Sequence, residues 1–135
     1  MATTTATITL SSSDLSSQAL SISSTTTLLK AGLTAGIDQT TGLTRKLYAT
    51  VQTATALIAS ADYTDAGGKA HKVYIKNVGT STTEYFTIEI GASNILIGRL
   101  YGGDWMFIPY GGEQDIDIDS SAVNMQLEYM VIYEA

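Results

Sequence analysis

The chain has 135 residues, no Cys, one Pro and a formal charge of −6, with 44% hydrophobic residues. That length supports a single core, the lack of Cys excludes a disulfide framework or Cys-based zinc site, and no run approaches the roughly 18 apolar residues of a membrane-spanning helix. After Arg99 come Asp104, Glu113, Asp115, Asp117, Asp119, Glu128 and Glu134 with no Lys or Arg, a balance that repels phosphate backbones and argues against direct nucleic-acid binding.

The opening MATTTATITLSSS carries neither the basic n-region nor the apolar h-region of a secretory signal, so none is expected. Sixteen of the first 30 residues are Ser or Thr, and no aromatic precedes Tyr48. The segment still alternates, with Ala6, Ile8 and Leu10 on one side and Thr5, Thr7 and Thr9 on the other. Leu20 and Ile22 repeat the pattern, and Thr25-Thr26-Thr27 favours a pleated surface because Thr is stiff at χ1. SSSDLSSQ between them reads as one capped turn. Residues 1–38 are therefore expected to form an extended arm or peripheral strands, with residues 1–30 packed largely on other chains. A disordered polar tail is the alternative.

Residues 31–42, AGLTAGIDQTTG, read as a loop. LTRKLYATVQ alternates like a strand, whereas the Ala-rich TATALIASA fits a strand or a helix. KVYIKN sends Val73 and Ile75 inward and Lys72, Tyr74 and Lys76 outward; YFTIEIG places Phe86, Ile88 and Ile90 on one face. With VGTSTTE between them, these two strands read as a hairpin. Strands follow at NILIGRLY, DWMFIPY, QDIDID and MQLEYMVIYE. Short strands at this spacing predict an all-β, antiparallel, jelly-roll-like sandwich over residues 39–135. Val73, Ile75, Phe86, Ile88, Ile90, Ile116, Ile118 and Leu127 are its expected core.

In GGEQDIDIDSS, Asp115, Asp117 and Asp119 stand two apart, so in a strand they share a face while Ile116 and Ile118 fill the other. An EF-hand loop starting at Asp115 would need Gly and Glu where Ser120 and Gln126 stand, so that match fails. The triplet reads as a solvated or partner-facing strand edge, with a weak calcium site completed by another loop as the alternative. His71, the only histidine, lies in GGKAHKVY without a GxSxG elbow and reads as a surface or strand-end residue rather than a catalytic base. LYGGDWMFIPYGG brackets the sole Trp with Tyr-Gly-Gly at Tyr101 and Tyr110. It reads as two turns around a core strand, or as an aromatic platform for sugar or protein. Candidate partner-binding residues are thus Tyr101, Trp105, Tyr110, Asp115, Asp117 and Asp119; no catalytic residue, cofactor or metal site is expected.

HKVYIKNVGTSTTEYFTIEIG, GRLYGGDWMFIPYGGEQDIDIDSS and LEYMVIYEA together resemble small virion proteins of tailed bacteriophages, especially those of marine cyanobacteria. The resemblance covers roughly residues 40–135 and is a general pattern rather than a strict motif. It implies a non-enzymatic β-sandwich component of the particle, most simply one decorating or cementing the capsid exterior. Its partners would be the major capsid protein or other virion subunits, and it would form a homo-oligomer, with a trimer suiting local three-fold positions. A tail, neck or fibre component binding host glycans is the alternative. No membrane contact is expected.

Overall fold

The computed structural model describes residues 2–63 and 68–135, so Gly67 of the turn before His71 lies outside the described residues. Eleven strands form among them: β1 (Thr5–Ser12), β2 (Leu20–Thr27), β3 (Gln39–Thr40), β4 (Thr44–Tyr48), β5 (Thr55–Ile58), β6 (His71–Asn77), β7 (Tyr85–Ile90), β8 (Ile95–Tyr101), β9 (Trp105–Tyr110), β10 (Ile116–Ser120) and β11 (Met125–Tyr133). The Ala-rich stretch that fitted either state is strand β5 followed by a short 3₁₀ turn at Ser60–Tyr63. β1 and β2 pair only with each other; the remaining strands build two sheets, all antiparallel.

One sheet runs β5-β10-β7-β8; the other runs β4-β11-β6-β9, with β3 added beside β4 on β11. Chain order across these sheets is that of an eight-stranded jelly roll, β4 to β11. The period of two selects its core. Val73, Ile75, Phe86, Ile88, Ile116, Ile118, Leu127 and Val131 are all at most 1% exposed. Each such side chain contributes about 1.5–3 kcal/mol by leaving water. Ile90, expected among them, is only half-buried, because it lies at the end of β7 beside the turn into β8.

The expected hairpin between β6 and β7 does not form: β6 pairs with β9 and β11, and β7 with β8 and β10. The connection crosses between sheets instead, and Asn77 explains how it is held. Its buried side chain donates to Leu100 O at 2.9 Å and accepts from Gly79 N at 2.9 Å, tying β6 to β8. Gly102 donates to Ser81 O at 3.0 Å, and a Cβ there would stand 2.6 Å from that oxygen, so only Gly fits the crossing.

The Ser/Thr-rich segment is neither a tail nor wholly detached. Leu28 and Ile37 are buried against Ile132, with Ala6, Phe107 and Met130 around them, on the outer face of the β4-β11-β6-β9 sheet. Ile37 lies in the stretch expected to be only loop. Glu134 accepts from both Ala31 N and Ala70 N, stapling the base of the arm to the start of β6. Burial pushes its carboxyl up, but those two N–H donors, with Lys69 and His71, hold it below the usual glutamate value. Packing on the chain's own sandwich thus replaces the expected docking on other chains at the base of the arm, because Leu28 and Ile37 supply the apolar bulk that the Ser/Thr tract lacks.

Candidate functional site

The β1–β2 hairpin has two unlike faces. In its register Thr7 opposes Thr25 and Thr9 opposes Ser23, and the Thr7 and Thr25 hydroxyls lie 2.8 Å apart. The other face carries Ala6, Ile8 and Leu10 on β1 with Leu20 and Ile22 on β2. Ile8, Leu10 and Ile22 remain 44%, 47% and 48% exposed. At the tip, Ser12 Oγ accepts from Asp14 N and Leu15 N, the capped turn that SSSDLSSQ predicts, and Leu15 is 76% exposed. A two-stranded hairpin with one uncovered apolar face is marginal in water.

That apolar face looks across a groove of about 550 Å³ at the outer face of β6 and β9, where Tyr74, Lys76, Trp105 and Phe107 form the opposite wall. These residues sit together because Tyr74 pairs with Phe107 and Lys76 with Trp105. Of the candidate residues only Trp105 belongs to this groove, and it is 51% exposed. Tyr74, Phe107 and Ile8 complete it without having been singled out, although the outward phase of Tyr74 and the alternation at Ile8 are both visible in the sequence.

The other two aromatics point elsewhere. Tyr110 takes the inward phase of β9, is buried, and donates from its hydroxyl to Gln114 O at 2.9 Å; burial pushes that hydroxyl up to about 12. Tyr101 lies on the far sheet, its ring tilted against that of Tyr85 at 5.2 Å between ring centres. No shared platform of Tyr101, Trp105 and Tyr110 exists, because alternation and the crossover from β8 to β9 place them on three different surfaces. Pro109 occupies β9, an edge strand, where its missing donor costs nothing.

The Asp triplet does lie opposite Ile116 and Ile118, but its strand is not an edge. β10 sits between β5 and β7, which leaves the triplet flanked by backbone and side chains of both neighbours. Asp115 accepts from Ser60 N and Ser60 Oγ, both at 2.7 Å, and these donors hold its carboxyl below the usual range. Asp119 accepts from Ala54 N at 2.6 Å, pinning the turn between β4 and β5 where Ala54 adopts a φ of 44°. Asp117 is buried and directly opposes Glu89. Burial first, then Asp115 and Asp119, raise the Asp117 carboxyl; burial, Asp119 and Asp117 raise that of Glu89. Glu89 Oε2 is buried without a hydrogen-bond partner among the described residues. Among those residues no group of three or more His, Cys, Asp or Glu is arranged to hold a metal.

His71 is buried, its Nδ1 accepting from Glu134 N at 3.3 Å, with the rings of Tyr63, Tyr110 and Tyr133 around it. This is a core histidine that fastens the end of β11 to the start of β6. Comparison with known proteins finds no matching family model, no matching curated protein and no matching solved structure.

Proposed function

We propose that this protein is a non-enzymatic structural component of a bacteriophage particle, decorating or cementing the capsid shell through protein–protein contacts. The observation that carries the reading is the β1–β2 hairpin, anchored at its base by Leu28 and Ile37 while Ile8, Leu10, Leu15 and Ile22 stay exposed. Such an element gains its missing apolar neighbours from a partner surface, and its Thr/Ser face suits a wet rim. The resemblance of residues 40–135 to small phage virion proteins supplies the particle as the partner.

Two measurements test this. Quantified protein bands from purified particles should give hundreds of copies per virion. A chain lacking residues 1–27 should stay folded yet fail to bind purified shells. A dozen copies or fewer moves the protein to tail or neck. Full shell binding by the truncated chain removes the hairpin from the contact.

A tail or fibre component that binds host glycans is the second reading, favoured by the exposure of Trp105 beside Tyr74 and Phe107. An aromatic face stacks on the apolar face of a sugar ring. Substituting Trp105→Ala would abolish glycan-array binding if this reading holds and leave shell binding unchanged.

A further inference from the structure

The groove between the hairpin and the β6–β9 face is aromatic on one wall, yet it also holds a charge. Lys76 is the one charged side chain among its lining residues. It is half-buried and directly opposes Trp105 on β9. Among the described residues its ammonium makes no hydrogen bond and no ion pair. Its cross-strand neighbour Glu128 is engaged elsewhere, one carboxylate oxygen accepting from Arg45 at 2.7 Å and the other from the Tyr74 hydroxyl at 3.4 Å. Asp104, next to Trp105 in sequence, accepts from Tyr101 N at 3.0 Å in the turn between β8 and β9. Nor does the ammonium cover the indole: the cation–π contacts among the described residues are Lys46 with Tyr48 and Arg99 with Tyr85.

The hairpin wall supplies hydroxyls. Ser24 directly opposes Ile8 and Thr26 opposes Ala6, so both share the groove-facing side of the hairpin. A flat aromatic surface, a cation beside it and hydroxyls across from it thus enclose about 550 Å³, within the roughly 300–1,000 Å³ of small-molecule pockets. An exposed indole accepts the apolar face of a sugar ring. A carboxylate held equatorially on that ring projects from its edge, so stacking on Trp105 carries it sideways to the neighbouring strand, where Lys76 stands. A charge-assisted hydrogen bond in such a partly desolvated groove is stronger than one in open water. A neutral sugar leaves the ammonium without a counter-ion, and an acidic peptide brings the carboxylate on a flexible stem rather than on a rigid ring.

We propose that the groove binds acidic saccharides, specifically hexuronate residues, with the sugar ring stacked on Trp105 and its carboxylate paired with Lys76. Ser24 and Thr26 face the ring hydroxyls from the hairpin side. This inference rests on the glycan reading of the groove and narrows it to one sugar class. The net charge of −6 does not oppose it at close range, because Lys76 lines the groove and Glu128 is already neutralised by Arg45.

Calorimetric titration of the full chain tests it, using short oligomers of galacturonate, glucuronate or mannuronate and the same oligomers with their carboxyls reduced to alcohols. At least one acidic oligomer should bind and shift the emission of Trp105, the sole tryptophan. Its reduced form should bind about tenfold more weakly or worse. Lys76→Met should erase that difference by weakening the acidic oligomer alone, and Trp105→Ala should abolish binding of both. Each variant should keep the wild-type circular dichroism and melting temperature; Lys76→Gln and Trp105→Leu replace a variant that fails to fold. Equal binding of acidic and reduced oligomers, or binding of neutral array glycans alone, overturns the acidic class while the glycan reading stands. A glycan array and oligomers that are all silent overturn both. Oligoglutamate bound as tightly as the oligouronate would assign the groove to carboxylates at large and remove the sugar.

Discussion

Asp117 and Glu89 place two carboxyls face to face on neighbouring strands, each with its pKa raised. Like charges so opposed are destabilising. A raised folded pKa means that the native state holds protons the unfolded chain has lost, so stability falls as pH rises from the unfolded to the folded value. Substituting Asp117→Asn should therefore raise the melting temperature at neutral pH, with the gain vanishing below the unfolded carboxyl pKa. Thermal melts of both proteins across pH measure this; an equal gain at all pH would assign the effect to packing. Tyr48 makes a related point without charge. Its hydroxyl is buried with no hydrogen-bond partner among the described residues, and burial pushes it up to about 12. Tyr48→Phe removes an unpaired polar group and should leave stability unchanged or raise it by about 1 kcal/mol in urea unfolding. A loss above that size would reveal a partner for the hydroxyl.

Among the elements, the hairpin and the jelly roll differ in how firmly they are held. β1 and β2 have only each other beyond their base, while β6 and β11 have paired strands on both sides. Amide hydrogens of β1 and β2 should exchange far faster than those of β6 and β11, because local opening of the hairpin leaves the core intact. Replacing Leu10 and Ile22 together by Lys should shift the sandwich's stability by no more than about 0.5 kcal/mol; a larger loss in the melt would mean the hairpin is integral to the core. Strand phase was legible at this scale, since Val73 and Ile75, or Phe86 and Ile88, announce their inward side by alternation. Strand partners were not. The seven residues from Val78 to Glu84 suit a hairpin loop and a crossing equally, and only the Asn77 and Gly102 contacts decide for the crossing. The position of β10 was hidden for the same reason, because its neighbours β5 and β7 lie far away in sequence.

For the molecule as a whole, the core is a single layer between two sheets, so one cavity at its centre is felt by both. Ile88 is 1% exposed there, and Ile88→Ala should cost about 2–5 kcal/mol in denaturant unfolding. A cost below 1 kcal/mol would show that the site collapses around the gap. The outer surfaces were less readable than the core. Composition revealed that acid gathers late in the chain, but not that Asp115 and Asp119 spend their charge on backbone N–H groups of Ser60 and Ala54. Nor did it reveal that Trp105 and Tyr110 part company across one strand, although the period of two predicts opposite phases for residues an odd number apart.

The order of strands also bears on the birth of the chain. β11 is the strand that joins β4 to β6, and β10 the one that joins β5 to β7. Until residues 116–133 have been made, each sheet has only one of its strand pairs, β6–β9 or β7–β8, with a gap between that pair and its remaining strand or strands. At roughly 5–20 residues per second of synthesis, the earlier strands wait with open edges. Their non-local pairings also cost loop-closure entropy before any contact rewards it. Completion of both sheets thus waits until residues 116–133 have been made, when β10 and β11 enter their slots.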